Sequence, residues 1–319
     1  MNIVFMGTPH FAIPSLEILL KNHYNISAVV TAQDKPRGRG QNISYTPVKE
    51  FALQHSLPIL QPTSLKDSDF ITQLQKLNAD IFVVVAFRIL PKEIFSLPSK
   101  GAFNLHASLL PKYRGAAPIN WAIINGEKET GVTTFFLQEK VDTGNIIVQE
   151  KTPITETMNA GELHDVLSEI GAKTVLQTVR LIEKNEAYPK IQDNALATPA
   201  PKIFKKDCKI DWNNPVEKVY DFIRGLSPYP TAYTTHNGKI LKIYKVHNPN
   251  VVTRETPGTI LLRKSYINEP EYGNKQQKFL IMTRDKLLEV TELQQEGKRR
   301  MSISEFLRGY NLKEGDVVE

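Results

Sequence analysis

The spacing of apolar and polar positions divides the chain into two patterns, and the first is typical of βαβ units. Short apolar runs at residues 2–7, 25–31, 57–60, 80–87 and 101–108 predict buried strands. Amphipathic segments at 14–21, 46–56 and 67–77 predict the helices between them. Residues 80–87 (DIFVVVAF) are almost uninterrupted apolar, as in a strand covered on both faces. This alternation predicts an α/β domain with a parallel sheet over residues 1–187.

The first pattern ends with a predicted strand pair at 133–137 and 146–150 and a long predicted helix at 161–184. The second pattern begins after them. Residues 188–206 contain three prolines and no apolar period, so they are interpreted as a linker. After a helix at 216–226, short β segments predict a small barrel over residues 207–319. Asn237-Gly238 predicts a type I′ hairpin turn, and Ser302 with Glu305 predicts a capping box that begins a last helix.

Composition limits the class of protein. The 319 residues are 41% hydrophobic and 23% charged, which excludes a wholly disordered or fibrous chain. No apolar run is long enough for a membrane span, and the first residues lack the basic region of a signal peptide. The single cysteine, Cys208, excludes an internal disulfide and a multi-cysteine metal site. We therefore expect a cytoplasmic protein without a metal or a membrane partner.

The charge is uneven along the chain. Residues 1–199 carry 19 Lys and Arg against 19 Asp and Glu, so the net charge of +6 lies in the last 120 residues. A modest basic excess has two interpretations, general solubility or attraction of a polyanion such as nucleic acid. Charge alone does not decide between them.

Candidate chemistry begins at the ends of the predicted strands. The turn at Gly7 lacks the second and third glycines of a dinucleotide fingerprint, which disfavours a nicotinamide dehydrogenase. Asn104 and His106 share one face of a strand end, and a donor beside an imidazole suits a carbonyl carbon that passes through an oxyanion. Asp142 is the nearest carboxylate candidate to accept a proton or orient His106. Two structural alternatives stay open at this point, a His106 bonded to a backbone carbonyl and an Asp142 that closes its own turn.

Taken together, these segments carry a resemblance. The motifs are GTPHFA at 7–12, PRGRG at 36–40, NLHASLLPKYRGAAPINWAI at 104–123, TGVTTF at 130–135, VDTGNII at 141–147, LSPYPTAY at 226–233 and QQEGKRRMSISEFLRGY at 294–310. In this order they closely resemble the methionyl-tRNA formyltransferase family. The Asn-x-His, SLLP and Asp-x-Gly core is shared with other folate-dependent formyltransferases, so PRGRG and the C-terminal motifs carry the specific resemblance.

The resemblance implies a Rossmann-like N-terminal domain, a basic OB-like C-terminal domain that binds tRNA, and no metal. It implies 10-formyltetrahydrofolate as formyl donor and initiator methionyl-tRNA as acceptor; we expect a monomer. The implied catalytic residues are Asn104, His106 and Asp142, the folate-binding residues are Ser108, Leu109, Leu110 and Pro111, and the tRNA-binding residues are Arg37, Arg39, Lys298, Arg299 and Arg300.

Two departures from the family pattern lie outside the catalytic residues. Residues 83–91 (VVVAFRILP) lack the usual glycine after the aromatic residue and are one residue shorter, with Arg88 in that place. After PRGRG, Gln41-Asn42-Ile43 stands where the family is often lysine-rich.

Two rival functions remain. One is a formyltransferase for a small amine, such as a glycinamide ribonucleotide or a nucleotide-linked amino sugar. The other is an RNA-binding protein with an inactive catalytic domain, which the intact Asn104, His106 and Asp142 disfavour.

Overall fold

A computed structural model describes residues 1–37, 42–263 and 277–319. The chain forms two compact units. Unit 1 comprises Met1–Pro118, Glu129–Pro153 and His164–Pro201, and unit 2 comprises Ile119–Lys128, Ile154–Leu163 and Lys202–Glu319. The predicted domain limits at residues 187 and 206 stay a prediction; in this division residues 188–201 belong to unit 1.

Unit 1 is built around a seven-stranded sheet of order β10-β9-β7-β6-β1-β2-β5. The pairs from β7 through β5 are parallel, whereas β9 is antiparallel to both of its neighbours. The strands, with two short pairs outside this sheet, are β1 (Asn2–Gly7), β2 (Asn25–Val30), β3 (Lys35–Arg37), β4 (Asn42–Ser44), β5 (Ile59–Leu60), β6 (Ile81–Val85), β7 (Ala102–His106), β8 (Arg114–Gly115), β9 (Glu129–Phe136), β10 (Ile146–Pro153) and β11 (Pro199–Ala200). The predicted parallel sheet is confirmed.

Two helices in residues 1–201 begin at side-chain caps that the sequence supplies. Thr46 accepts a hydrogen bond from the Lys49 amide, and Asp67 accepts one from the Asp69 amide, so both predicted helix starts are confirmed. The helices of residues 1–201 are α1 (Ile13–Lys21), α2 (Pro47–Gln54), α3 (Ser68–Lys76), α4 (Lys92–Phe95), α5 (Pro118–Ile124) and α6 (Ala160–Glu183), of which α5 lies mostly in unit 2 and α6 begins there.

The core of unit 1 explains why its strands are central. Every residue of β6 is buried, and Ile3 through Met6 of β1 are buried beside it. The strand β1 ends in Gly7, where an added Cβ would lie 2.7 Å from the Cβ of Ala12. Glycine therefore permits the tight turn that returns the chain toward α1.

Unit 2 contains an antiparallel sheet of order β12-β13-β16-β15-β14, with β17 paired to β16. Its remaining elements are α7 (Val216–Leu226), β12 (Ala232–His236), β13 (Lys239–His247), β14 (Ile260–Arg263), β15 (Lys278–Met282), β16 (Leu287–Gln295), β17 (Met301–Ser302) and α8 (Ile303–Gly309). Asn237 and Gly238 both have positive φ, as a type I′ turn requires. Ser302 and Glu305 form the predicted capping box. The small β domain predicted for this part of the chain is confirmed, and its strands form an antiparallel sheet.

Candidate functional site

The candidate site lies where β7 ends. The strand runs parallel to β6, so its carboxyl end lies at the sheet edge where open α/β folds bind ligands. Asn104 is half-buried, and His106, two residues later on the same face, is only 6% exposed. Both residues therefore occupy the positions that the sequence predicted for them.

The two nitrogens of the His106 ring face different partners. Nε2 lies 2.8 Å from the Tyr113 carbonyl oxygen, which can only accept a hydrogen bond, so Nε2 carries the proton. Nδ1 lies 3.8 Å from Asp142 Oδ2. The bond to a backbone carbonyl, which the sequence left open as an alternative, thus coexists with the carboxylate contact. This ring orientation leaves Nδ1 on the side of Asp142.

Asp142 lies in the loop between β9 and β10, in a left-handed conformation with φ of 54°. Its Oδ2 accepts a hydrogen bond from the Gly115 amide at 2.9 Å, although the two residues are 27 positions apart. The Gln192 amide group donates to the carbonyl oxygens of Asp142 and Gly144 at 3.0 and 2.7 Å. The carboxylate is therefore positioned by long-range contacts that the sequence analysis missed.

The loop at residues 108–111 follows β7 directly, and its backbone is held by β9 and β10. Thr133 Oγ1 donates to the Ser108 carbonyl at 2.6 Å and accepts from the Leu110 amide at 3.1 Å. Gln149 Nε2 donates to the Leu110 carbonyl at 2.8 Å and to Thr133 Oγ1 at 2.9 Å. Leu110 is buried, while Leu109 and Pro111 are half-buried. The motif containing Thr133 was visible in the sequence, but its support of this loop was not.

The segment after β6, which is one residue shorter than the family pattern, is held by hydrogen bonds from Arg88. The Arg88 guanidinium donates to the carbonyl oxygens of Pro62 and Thr63 at 3.0 and 3.2 Å. Burial lowers the pKa of Arg88, and the neighbouring Ile89 is exposed. Arg88 thus ties the segment after β6 to the segment after β5.

The predicted tRNA-binding residues fall in two places. Arg37 ends β3, its side chain is outside the described part of the structure, and Arg39 lies outside the described residues altogether. Lys298, Arg299 and Arg300 lie between β16 and β17 and are exposed.

Two of these arginines already face carboxylates. Arg299 donates to Glu305 at 2.7 Å, and Arg300 donates to both carboxylate oxygens of Glu292 at 2.5 and 2.6 Å. The Arg300 guanidinium also lies 4.3 Å from the centre of the Tyr244 ring, and its bond to Glu292 raises its pKa. Arg300 is therefore held in place before any partner binds.

Within the described ranges, no group of three or more His, Cys, Asp or Glu side chains is arranged to hold a metal ion. Among the same residues, no helix is both long enough and apolar enough to cross a membrane.

The chain is similar to known proteins along nearly its whole length. The family described as Formyl transferase matches residues 1–179, and Formyl transferase, C-terminal domain, matches residues 202–311. The methionyl-tRNA formyltransferase of Bacteroides thetaiotaomicron is 46% identical, with 99% of this chain and 97% of that protein covered. The methionyl-tRNA formyltransferase of Caldanaerobacter subterraneus subsp. tengcongensis is 44% identical over the full length of both chains.

Among solved structures, an N-formyltransferase from Helicobacter canadensis, in complex with folinic acid and dTDP-3-aminofucose, superposes with a TM-score of 0.64. The identity is 22%, with 90% of this chain and 98% of that chain covered, so this likeness supports the fold.

Proposed function

The chain belongs to the methionyl-tRNA formyltransferase family, and on that premise we propose that it transfers the formyl group of 10-formyltetrahydrofolate to the α-amine of methionine on initiator tRNA. The products are N-formylmethionyl-tRNA and tetrahydrofolate. The observation that carries the proposal is the convergence of His106 and Asp142 beside Asn104, in a chain that is similar to tRNA formyltransferases from end to end.

The donor site is proposed at the loop of Ser108, Leu109, Leu110 and Pro111. This loop follows His106 directly, and its leucines and proline offer an apolar surface suited to a flat ring system. The side chains of Thr133 and Gln149 hold the backbone of this loop by hydrogen bonds to the carbonyls of Ser108 and Leu110. A folate-derived donor is supported by the related fold that was crystallised with folinic acid.

The chemistry we propose is acyl transfer through a tetrahedral intermediate. The amine nitrogen bonds to the formyl carbon, and the carbonyl π electrons move to the oxygen. Asn104 donates a hydrogen bond to that oxyanion. His106 donates from Nδ1 in its protonated form, because Nε2 is already bonded to the Tyr113 carbonyl.

Asp142 completes the proton balance. The amine becomes positively charged as it attacks, and it gives a proton to the Asp142 carboxylate, directly or through water. The intermediate then collapses, the bond between formyl carbon and N10 breaks, and N10 takes the electron pair. N10 also takes the proton that Asp142 received from the amine, directly or through water, so the carboxylate is regenerated.

For the acceptor we propose that Arg37, Arg39, Lys298, Arg299 and Arg300 contact tRNA phosphates. The support is the basic excess of residues 200–319 and the exposure of the run at 298–300. Since Arg299 and Arg300 pair with Glu305 and Glu292, each phosphate contact there must compete with a carboxylate. We therefore expect Lys298 to contribute more to tRNA affinity than either neighbouring arginine.

The test compares four formyl acceptors with the same formyl donor. Initial rates of formyl transfer from 10-formyltetrahydrofolate are measured with charged initiator tRNA, charged elongator tRNA, free methionine and a nucleotide-linked amino sugar. The proposal predicts rapid transfer to charged initiator tRNA and little to the small amines. Preferred transfer to the amino sugar would assign the chain to the small-amine formyltransferases, and folate binding without any transfer would contradict both.

A further inference from the structure

Residues 190–200, which the sequence indicated to be part of a linker, run beside both loops that carry the site; we call them the strap. Lys190 exchanges two backbone hydrogen bonds of 2.8 Å with Ile146, just after the Asp142 loop. At the other end, β11 pairs in parallel with β8, so that Ala200 is opposite Gly115. An added Cβ on Gly115 would lie 2.5 Å from the Ala200 carbonyl oxygen, which shows how closely the two backbones approach.

Gln192 is the buried centre of the strap, at 5% exposure. Its Nε2 donates to the carbonyls of Asp142 and Gly144, and its Oε1 accepts from Arg114 Nε and Nη2 at 3.1 and 2.6 Å. One side chain thus joins the Asp142 loop to the residue before Gly115. This matters because the Gly115 amide is the donor to the Asp142 carboxylate.

The backbone of Asp142 needs such support. A non-glycine residue with positive φ persists where surrounding contacts over-determine it, and both amide hydrogens of Gln192 are used on this turn. We propose that Gln192 is a positioning residue that holds the Asp142 carboxylate toward His106 Nδ1. The expected effect on kcat rests on the proposed function. The expected effect on the position of the Asp142 carboxylate is independent of which amine accepts the formyl group.

The first test is Gln192→Glu. The variant keeps an oxygen for Arg114 but replaces the donor to two carbonyls with a negative oxygen. We expect kcat for methionyl-tRNA to fall by about 10- to 100-fold, the scale for a misplaced catalytic group, with both KM values within about threefold of wild type. The matched control is Asn194→Ala, because exposed Asn194 also accepts from Arg114, at 2.9 Å, and does not contact the Asp142 loop. We expect it to retain wild-type kinetics.

A double-mutant cycle separates positioning from general stability. In an Asp142→Asn background, Gln192→Glu should cause no further loss of kcat, because the group it positions is already lost. The same fold loss in both backgrounds, or a wild-type kcat for Gln192→Glu, would overturn the inference. If Gln192→Glu does not fold, Gln192→Met carries the same prediction, since it has similar length and no donor.

A crystal structure of Gln192→Met makes the test independent of the acceptor. The inference predicts that Asp142 Oδ2 moves away from His106 Nδ1 and the Gly115 amide. An unchanged Asp142 would overturn it even if the wild-type protein formylated a different amine. Failure of wild type to act on methionyl-tRNA would instead contradict the proposed function alone.

Discussion

Replacement of Thr133 by valine should release the loop at residues 108–111 with little change in side-chain shape. The hydroxyl makes three hydrogen bonds, to the Ser108 carbonyl, the Leu110 amide and Gln149 Nε2. At about 1 kcal/mol net for each bond, and with Gln149 still bonded to the Leu110 carbonyl, Thr133→Val should cost roughly 2–4 kcal/mol of unfolding free energy. If about 1.5 kcal/mol of that loss falls on the folate-bound loop, KM for 10-formyltetrahydrofolate rises about tenfold.

Denaturant unfolding measures the free energy of unfolding, and steady-state kinetics at varied concentrations of 10-formyltetrahydrofolate measure KM for the donor. Thr133→Ser keeps the hydroxyl, so it should bind folate normally and lose only about 1 kcal/mol for the buried methyl group. Thr134→Val is the matched control, because Thr134 is equally buried but bonds to Thr178 and not to the loop. Equal folate KM values in Thr133→Val and Thr134→Val would refute the reasoning.

Three further predictions concern the oxyanion, the tRNA and the pH dependence of stability. Asn104→Ala should lower kcat by about 10²–10³, the usual effect of removing one oxyanion donor, and a change confined to KM would contradict that role. Arg39→Ala should raise KM for tRNA while folate affinity, measured by titration, stays unchanged; equal loss of both would make Arg39 structural. Hydrogen bonds from Lys49 and Gln61 lower the pKa of Asp34 below its usual 3.8, so this contribution to stability is present at neutral pH and is lost as the pH falls through the lowered value. Lys49→Met should therefore lower Tm at pH 7 and have little effect on Tm near pH 2. An equal loss of Tm at both pH values would contradict this role of the ionised Asp34 carboxylate.

Local chemistry made several features predictable. The β-branched run of β6 indicated a strand covered on both faces, and the two-residue period of a strand placed Asn104 beside His106. The hairpin at Asn237-Gly238 and the capping box at Ser302 depend only on residues that are adjacent in the sequence. The turn and cap preferences of those residues were therefore sufficient to predict both features. These are the features in which sequence neighbours and spatial neighbours coincide.

Long-range contacts explain what the sequence did not reveal. Gln192 lies in a segment with prolines and no apolar period, and nothing in that pattern indicates hydrogen bonds to residues 48 and 50 positions away. The pairing of Arg300 with Glu292 and Tyr244 likewise depends on the register of β13 and β16. A run of basic residues gives charge, but only the fold determines which carboxylates that charge already faces.

The most direct measurement of the central claim is transfer of labelled formyl to charged initiator tRNA by wild type and Asp142→Asn, with folate and tRNA binding measured on the same samples. The account predicts rapid transfer by wild type, and at least about 10²-fold slower transfer by Asp142→Asn with both affinities retained. Equal rates for the two proteins would contradict the role of Asp142. A wild-type protein that binds folate but leaves methionyl-tRNA unformylated would contradict the function itself.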